Sequence, residues 1–153
     1  MFVFSKLPEL LDTVFLVLQK KNVIFLHWFH HVTVLLYVWH AYQHDTSTSL
    51  WFSSMNYSVH SIMYLYFFLM SIGVRSATRA VAPLITIAQT TQMAVGMAVT
   101  LSGVYYYQED PKTCGVQMTN SLYGFVMYFC YFVLFAKLFR DSKSKRGKVG
   151  VRP

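Results

Sequence analysis

Long apolar runs alternate with short polar connections along the chain. Four of these runs, at about 23–43, 50–72, 81–107 and 119–139, each approach the ~20 residues that a helix needs to span a bilayer. Residues 1–19 have the composition of part of a further span, although they carry charged side chains. The pattern predicts an all-α fold: a polytopic membrane helix bundle with four full spans and a partial N-terminal span.

The charged residues are divided between the two ends of the predicted spans. Eleven of the 13 lysines and arginines lie on alternate connections or in the C-terminal tail, and Lys6 and Lys112 are the exceptions. The intervening connections carry Asp45, Glu109 and Asp110. Because basic residues collect on the cytosolic side of membrane proteins, the C-terminus is predicted to be cytosolic.

The overall composition supports the same class of protein. The chain is 55% apolar and only 12% charged, about half the charged fraction of a soluble domain. Its net charge of +7 does not indicate a nucleic-acid partner, since the basic residues flank apolar runs as they do in membrane proteins. We divide the chain into a membrane-embedded domain, 1–140, and a basic cytosolic tail, 141–153, which we expect to lack regular structure.

Three histidines interrupt the first apolar run. His27, His30 and His31 form an H-x-x-H-H cluster, and on a helix they lie on one face. Titratable groups are costly in hydrocarbon, so this face is expected to look into protein or a polar cavity. Imidazoles there support metal ligation, proton transfer or nucleophilic attack, and the cluster alone leaves all three open.

The second run carries another polar stripe. Asn56, His60 and Tyr64 are spaced by four residues and share one helix face. The short connection between the two runs makes their helices antiparallel. At 1.5 Å per residue, His30 and His60 then lie at similar depths, on the order of 12–17 Å from the cytosolic end. We therefore expect these two histidines to face each other.

The N-terminal segment carries three charges at helical spacing. Lys6 and Glu9 are three residues apart and can form an ion pair that neutralises itself within the membrane. Asp12 has no obvious partner in the sequence, so it is the better candidate for a functional role.

Two further groups of polar residues have simpler interpretations beside the functional one. Thr86, Gln89 and Gln92 follow at three-residue steps in the third run, where they either bond between helices or contact a substrate. His40 and His44 lie at the predicted lumenal end, where we expect a solvated pair without a chemical role.

Four motifs together resemble those of the fatty acid elongases, the membrane 3-ketoacyl-CoA synthases. They are K-x-x-E-L-x-D-T at 6–13, H-x-x-H-H at 27–31, H-x-x-M-Y-x-Y at 60–66 and T-x-x-Q-x-x-Q at 86–92. The motifs occur in the order and spacing of that family and cover about residues 3–140. The Trp28-Phe29 pair and the residues before His60 look most like the branch that acts on saturated and monounsaturated chains.

The resemblance implies a seven-helix, multi-pass enzyme of the endoplasmic reticulum membrane with a tunnel for the acyl chain. This chain holds four spans and a piece of another, so we expect an N-terminally truncated form. The implied reaction condenses a long-chain acyl-CoA with malonyl-CoA to give a 3-ketoacyl-CoA, CO₂ and CoA. No bound cofactor or metal is expected, and partners are membrane lipid and further copies of the chain or other elongation-cycle enzymes.

Our hypothesis is that His30 attacks the thioester, while His27, His31 and His60 transfer protons or stabilise the enolate oxyanion. Neither Cys114 nor Cys130 is a good candidate nucleophile. The expected substrate-binding residues are Lys6, Glu9, Asp12, Asn56, Tyr64, Gln89 and Gln92. The candidates for binding the CoA phosphates are Lys20, Lys21, Arg75, Arg79, Lys137 and Arg140.

Two alternative functions stay open at this point. A metal-dependent membrane desaturase or hydroxylase also uses histidine boxes, and a single metal on His27, His31 and His60 would fit that interpretation. The other alternative is a non-catalytic, truncated elongase subunit that pairs with intact partners. The preferred chain length is not fixed by the sequence, because the closed end of a tunnel depends on packing.

Overall fold

The computed structural model describes residues 2–111 and 114–149, without the side chains at 75–77, 79 and 142–149. Within these residues the chain is helical and contains no strand, which confirms the predicted all-α class. The helices are α1 (Phe2–Leu18), α2 (Phe25–Gln43), α3 (Ser49–Ser71), α4 (Arg75–Glu109) and α5 (Met118–Val149).

The predicted spans correspond to these helices with two differences in length. α4 begins at Arg75, before the apolar run that predicted it. α5 continues to Val149, so the expectation that the tail lacks regular structure is wrong for 141–149. Residues 150–153 and Lys112 lie outside the described part of the chain.

Two helical segments have the length and hydropathy to cross a membrane, Ala80–Glu109 and Met118–Asp141. α2 and α3 have 19 and 23 residues, long enough to span, but their polar residues lower the hydropathy. α2 alone carries four of the six histidines. Large apolar side chains cover the outside of the bundle, as they do in a polytopic membrane protein.

The five helices form a ring around a common interior. α1 packs on α2, α2 on α5, α5 on α4, and α4 on α3. Side chains of α3 close the ring against α1: the Tyr57 hydroxyl donates to Ser5 Oγ at 3.2 Å, and the Tyr57 ring lies 5.1 Å from that of Phe2. Polar residues that face the ring interior are therefore separated from lipid.

An aromatic core fills the ring towards the end where α2 joins α3. The ring of Phe52 lies 6.1 Å from that of Tyr37 and 5.2 Å from that of Tyr128. Met93 is buried in the same cluster. This core closes one end of the interior, so any space for a ligand lies on the other side of it.

A glycine in α4 permits the close approach of α5. A Cβ built on Gly96 would lie 2.7 Å from Cε1 of the Tyr128 ring, which is itself buried against Phe52. Because that ring has no room to move, position 96 accepts no side chain without a shift of α5.

Gly96→Ala is expected to destabilise the protein, because overpacking costs about 1–3 kcal/mol and outweighs the ~1 kcal/mol helix gain of alanine. Gly103→Ala is the matched control in α4. Its Cβ would lie 3.3 Å from Thr48 Cγ2, a contact that a movement of a few tenths of an ångström relieves. Thermal unfolding in detergent should show a lower Tm for Gly96→Ala alone. Equal Tm values for the two variants would contradict the packing argument.

Candidate active site

A cavity of about 840 Å³ lies inside the helix ring, and all five helices contribute to its wall. This volume is in the range of sites that bind small molecules and cofactors. Its polar wall contains Asp12, His27, His30, His31, Asn56, His60, Tyr64, Gln89 and Gln92. The apolar wall includes Phe15, Val59, Met63, Phe67, Met93 and Phe135, so the cavity suits a ligand with both a polar and an apolar part.

Four imidazoles meet at this cavity. The ring centres of His27 and His31 are 4.5 Å apart, and those of His30 and His31 are 5.4 Å apart. His60 of α3 lies 6.3 Å from His30, with the two rings tilted by only 25°. The structure thus brings His30 and His60 together as the helix spacing predicted, while their chemical roles stay predictions.

A buried ion pair lies behind the histidines. Lys6 Nζ is 2.5 Å from Glu9 Oε1 and also donates a hydrogen bond to Asn56 Oδ1 at 2.5 Å. Lys6 is only 1% exposed. The self-neutralising pair expected in α1 is present, but no pattern in the sequence indicated that Asn56 of α3 is its third member.

Glu9 connects this pair to two of the imidazoles. Its Oε1 lies 3.6 Å from His60 Nδ1, and its Oε2 lies 3.9 Å from His31 Nδ1. These distances are longer than hydrogen bonds but within ion-pair range. A carboxylate on this side favours the ring proton at Nδ1, which leaves Nε2 of each ring as the free acceptor.

Asp12 has a partner that the sequence did not reveal. The Tyr64 hydroxyl donates to Asp12 Oδ2 at 2.7 Å, and both side chains line the cavity. Its partner comes from another helix, which the spacing within α1 could not show, and the functional role of Asp12 stays a prediction. The Tyr64 ring also contacts His60 at 5.9 Å, so this pair adjoins the imidazole cluster.

The polar residues of α4 are divided between structural and cavity positions. Thr86 Oγ1 donates to the Ala82 carbonyl of its own helix at 3.3 Å. Gln89 Nε2 donates to the Met63 sulfur at 3.4 Å, a weak acceptor, and also lines the cavity. Gln92 is buried at the cavity wall. Both glutamines can therefore reach a ligand.

Several predicted site residues do not line the cavity. Lys6 and Glu9 lie behind the imidazoles instead. Of the candidate cations for CoA, Lys21 lines the cavity, whereas Lys20, Lys137 and Arg140 are exposed outside it. The side chains of Arg75 and Arg79 lie outside the described residues.

Sequence reasoning missed Tyr131, which contacts His30 from α5, and Thr33, which contacts the Tyr131 hydroxyl. The Tyr131 ring lies 4.8 Å from that of His30, and its hydroxyl lies 2.5 Å from Thr33 Oγ1. Both residues carry a hydroxyl group within an apolar run, and such a hydroxyl is only a weak sign of a role in the site. No spacing rule connects positions 98 residues apart.

His40 is not simply solvated, so that expectation is wrong. Its Nδ1 lies 2.9 Å from Nδ2 of Asn120, a buried residue of α5. Its ring also contacts His44 at 4.5 Å and Tyr123 at 5.5 Å. His40 belongs to the contact between α2 and α5, at a distance from the cavity wall.

The geometry gives no support to a metal centre in the described part of the chain. Across 2–111 and 114–149, no three His, Cys, Asp or Glu side chains are arranged as a group that could hold a metal ion. The alternative of a single metal on His27, His31 and His60 therefore depends on composition alone.

Comparison with known proteins agrees with the motifs. Residues 1–150 match the model of the ELO family, described as the GNS1/SUR4 family. The chain belongs to this family. No solved structure matches it significantly.

Several relatives in this family are fatty acid elongases of trypanosomes. Fatty acid elongase 3 of Trypanosoma cruzi is 49% identical over 92% of this chain and 47% of its own length. In Trypanosoma brucei brucei, fatty acid elongase 3 is 48% identical over 99% of this chain, and fatty acid elongase 1 is 50% identical over 97%. The alignments cover 50% of each of these two proteins, so the chain spans about half the length of its curated relatives.

Lys6→Met is expected to destabilise the protein strongly, because it leaves the Glu9 carboxylate buried without a cation. Breaking one half of a buried pair costs about 3–5 kcal/mol. The double variant Lys6→Met/Glu9→Gln removes both charges and should recover part of the loss. Thermal unfolding of the single and double variants in detergent measures this.

The control for this series is Lys137→Met, which makes the same substitution at an exposed position of α5. Its unfolding free energy should change by no more than about 0.5 kcal/mol. A double variant as unstable as the sum of its single variants would show that the two charges are not coupled.

Proposed function

We propose that this chain carries the condensation site of fatty acid chain elongation, which joins a long-chain acyl-CoA to malonyl-CoA and yields a 3-ketoacyl-CoA, CO₂ and CoA. The observation that carries the proposal is the meeting of four imidazoles from α2 and α3 at one cavity. The names of the relatives, which are fatty acid elongases, support it. The proposed chemistry needs no bound cofactor.

In this proposal the acyl group is carried by an imidazole and not by a thiol. Neither Cys114 nor Cys130 is part of the cavity wall formed by the described residues. His30 lines the cavity with His31 and His60 as its imidazole neighbours. A neutral imidazole offers one free nitrogen as a nucleophile and holds a proton on the other.

The first step transfers the acyl group to His30. The free nitrogen of His30 attacks the thioester carbonyl, the C–N bond forms, and the C–S bond breaks to release CoA as a thiolate. The remaining ring proton passes to the thiolate through His31 or His60, so the products are a neutral acyl-imidazole and the CoA thiol. Glu9 keeps both relay rings oriented from behind.

The second step forms the carbon–carbon bond. Malonyl-CoA loses CO₂, and the electron pair of the broken bond gives the enolate of acetyl-CoA. The enolate carbon attacks the acyl carbonyl, and the C–N bond to His30 breaks to release an imidazolide. This imidazolide takes up one proton from water through His31 or His60, which restores the neutral ring. His27 and the amides of Asn56 and Gln92 line the cavity, and their proposed role is to stabilise the oxyanions.

The side of the cavity that is lined by Lys21 and Leu138 suits the CoA moiety. Lys21 contributes a cation to the wall, and Lys137 and Arg140 flank the cavity-lining Leu138 in sequence. Cations at these positions attract the CoA phosphates. We further propose that the chain lies in the endoplasmic reticulum membrane with its C-terminus in the cytosol, so that this side faces cytosolic acyl-CoA.

Two finer properties belong to the same proposal. Saturated and monounsaturated acyl chains are the proposed substrates, because the residues around the histidine box resemble the branch of the family that acts on them. The proposed protein partners in the membrane are a second copy of this chain or other enzymes of the elongation cycle.

Incubation of this chain with a long-chain acyl-CoA, without malonyl-CoA, is expected to release CoA and leave an acyl group on the peptide that contains His30. His30→Ala removes the attacking nitrogen, so mass spectrometry should find no adduct on that variant. His44→Ala is the matched control, since His44 is exposed and does not line the cavity. This variant should keep the adduct.

Three other results of this experiment would each favour a different interpretation. An acyl adduct that survives in His30→Ala would remove His30 as the nucleophile. Absence of both adduct and malonyl-CoA-dependent product from this chain would point to the non-catalytic subunit. One iron or zinc per purified chain, together with an oxygen requirement, would favour the metal-dependent oxygenase.

A further inference from the structure

We propose that Tyr131 is a positioning residue for His30: from α5 it holds the turn of α2 that carries His30, so that the imidazole keeps the place from which it attacks. The inference rests on the proposed function, in which His30 accepts the acyl group. Tyr131 acts through His30, because it does not line the cavity and so does not touch a substrate there.

Tyr131 is the largest side chain that is almost fully enclosed, at 1% exposure. Its ring centre lies 4.8 Å from His30 and 6.1 Å from Phe29, on the side of α2 that faces α5. A buried tyrosine needs a partner for its hydroxyl, since an unpaired O–H in an apolar environment is costly. The partners that it finds are on the turn of α2 that carries His30.

The hydroxyl of Tyr131 contacts two groups of α2. Its oxygen lies 2.5 Å from Thr33 Oγ1, and it donates to the His30 carbonyl oxygen at 3.2 Å. Thr33 Oγ1 is also 2.6 Å from the Phe29 carbonyl. With one proton on each hydroxyl, Thr33 donates to Phe29 while Tyr131 shares its proton between Thr33 and His30.

His30 depends on this contact more than His31 and His60 do. Glu9 faces ring nitrogens of His31 and His60. Within 2–111 and 114–149, no hydrogen bond from another side chain orients the His30 ring. Its position is therefore set by its backbone and by ring packing, and Tyr131 contributes to both.

Loss of the Tyr131 hydroxyl is expected to affect the rate of acyl transfer more than substrate binding. A shift of about 1 Å in a reacting group can lower a rate by about 100-fold, so a partly loosened turn should lower kcat by about tenfold. The KM for acyl-CoA should stay within about twofold, because the cavity wall itself is unchanged.

Tyr131→Phe removes only the hydroxyl, and Tyr128→Phe is the matched control on the same helix. Tyr128 is also buried, packs against Phe52 in the aromatic core and does not line the cavity. Single-turnover release of CoA from acyl-CoA should slow in Tyr131→Phe alone, with similar Tm values for both variants. An equal loss in both variants, or a change in KM without one in kcat, would overturn the proposal.

Substitutions at Thr33 test the same contact from the other helix. Thr33→Val keeps the shape but removes the hydroxyl, and it should reproduce the loss of kcat. Thr33→Ser keeps the hydroxyl and should retain most of the rate. Added to Tyr131→Phe, Thr33→Val should cost little more, because both remove one interaction. Fully additive losses would contradict the proposed contact.

A substrate-independent measurement separates this inference from the proposed function. Diethyl pyrocarbonate acylates imidazoles, and peptide mass spectrometry gives the rate at His30 relative to exposed His44. A loosened turn in Tyr131→Phe should raise that ratio at least about threefold, while Tyr128→Phe leaves it unchanged. An unchanged ratio overturns the positioning role. A missing acyl-CoA adduct in the wild type, with the ratio raised, overturns only the proposed function.

Discussion

The buried ion pair of Lys6 and Glu9 is the interaction around which the site is assembled. A lone charge inside a helix bundle in lipid is costly, so each of the two ions requires the other. Lys6 also bonds to Asn56, and Glu9 faces His31 and His60. One pair thus joins α1 to α3 and sets the polar environment behind two imidazoles, so fold and site depend on the same charges.

The polar groups of this bundle are arranged by the same constraint. Lipid offers no hydrogen-bond partners, so hydroxyls and amides within the spans must find them in the protein. Tyr64 finds Asp12, and Tyr131 finds Thr33. Each of these contacts joins two helices, so the polar groups are satisfied within the protein. Residues that stabilise the helix ring are therefore also the ones that hold the catalytic candidates in place.

The sequence predicted the helices well and the end of α5 poorly. Apolar runs of about 20 residues are a strong local signal, and helix periodicity correctly placed His27, His30 and His31 on one face. The basic tail was expected to be irregular from its charge, yet lysine and arginine are good helix formers. Residues 141–149 contain no proline, so the helix that α5 has begun can continue through them.

The sequence by itself determined the helical class, the histidine face and the family motifs, because these depend on residues that are close together along the chain. Only the tertiary structure decided that Lys6 meets Asn56 and that Thr33 meets Tyr131, across separations of 50 and 98 residues. Periodicity gives the direction of a face within one helix. The rotation and crossing of two helices decide which side chains on those faces touch, and these follow from packing over the whole ring.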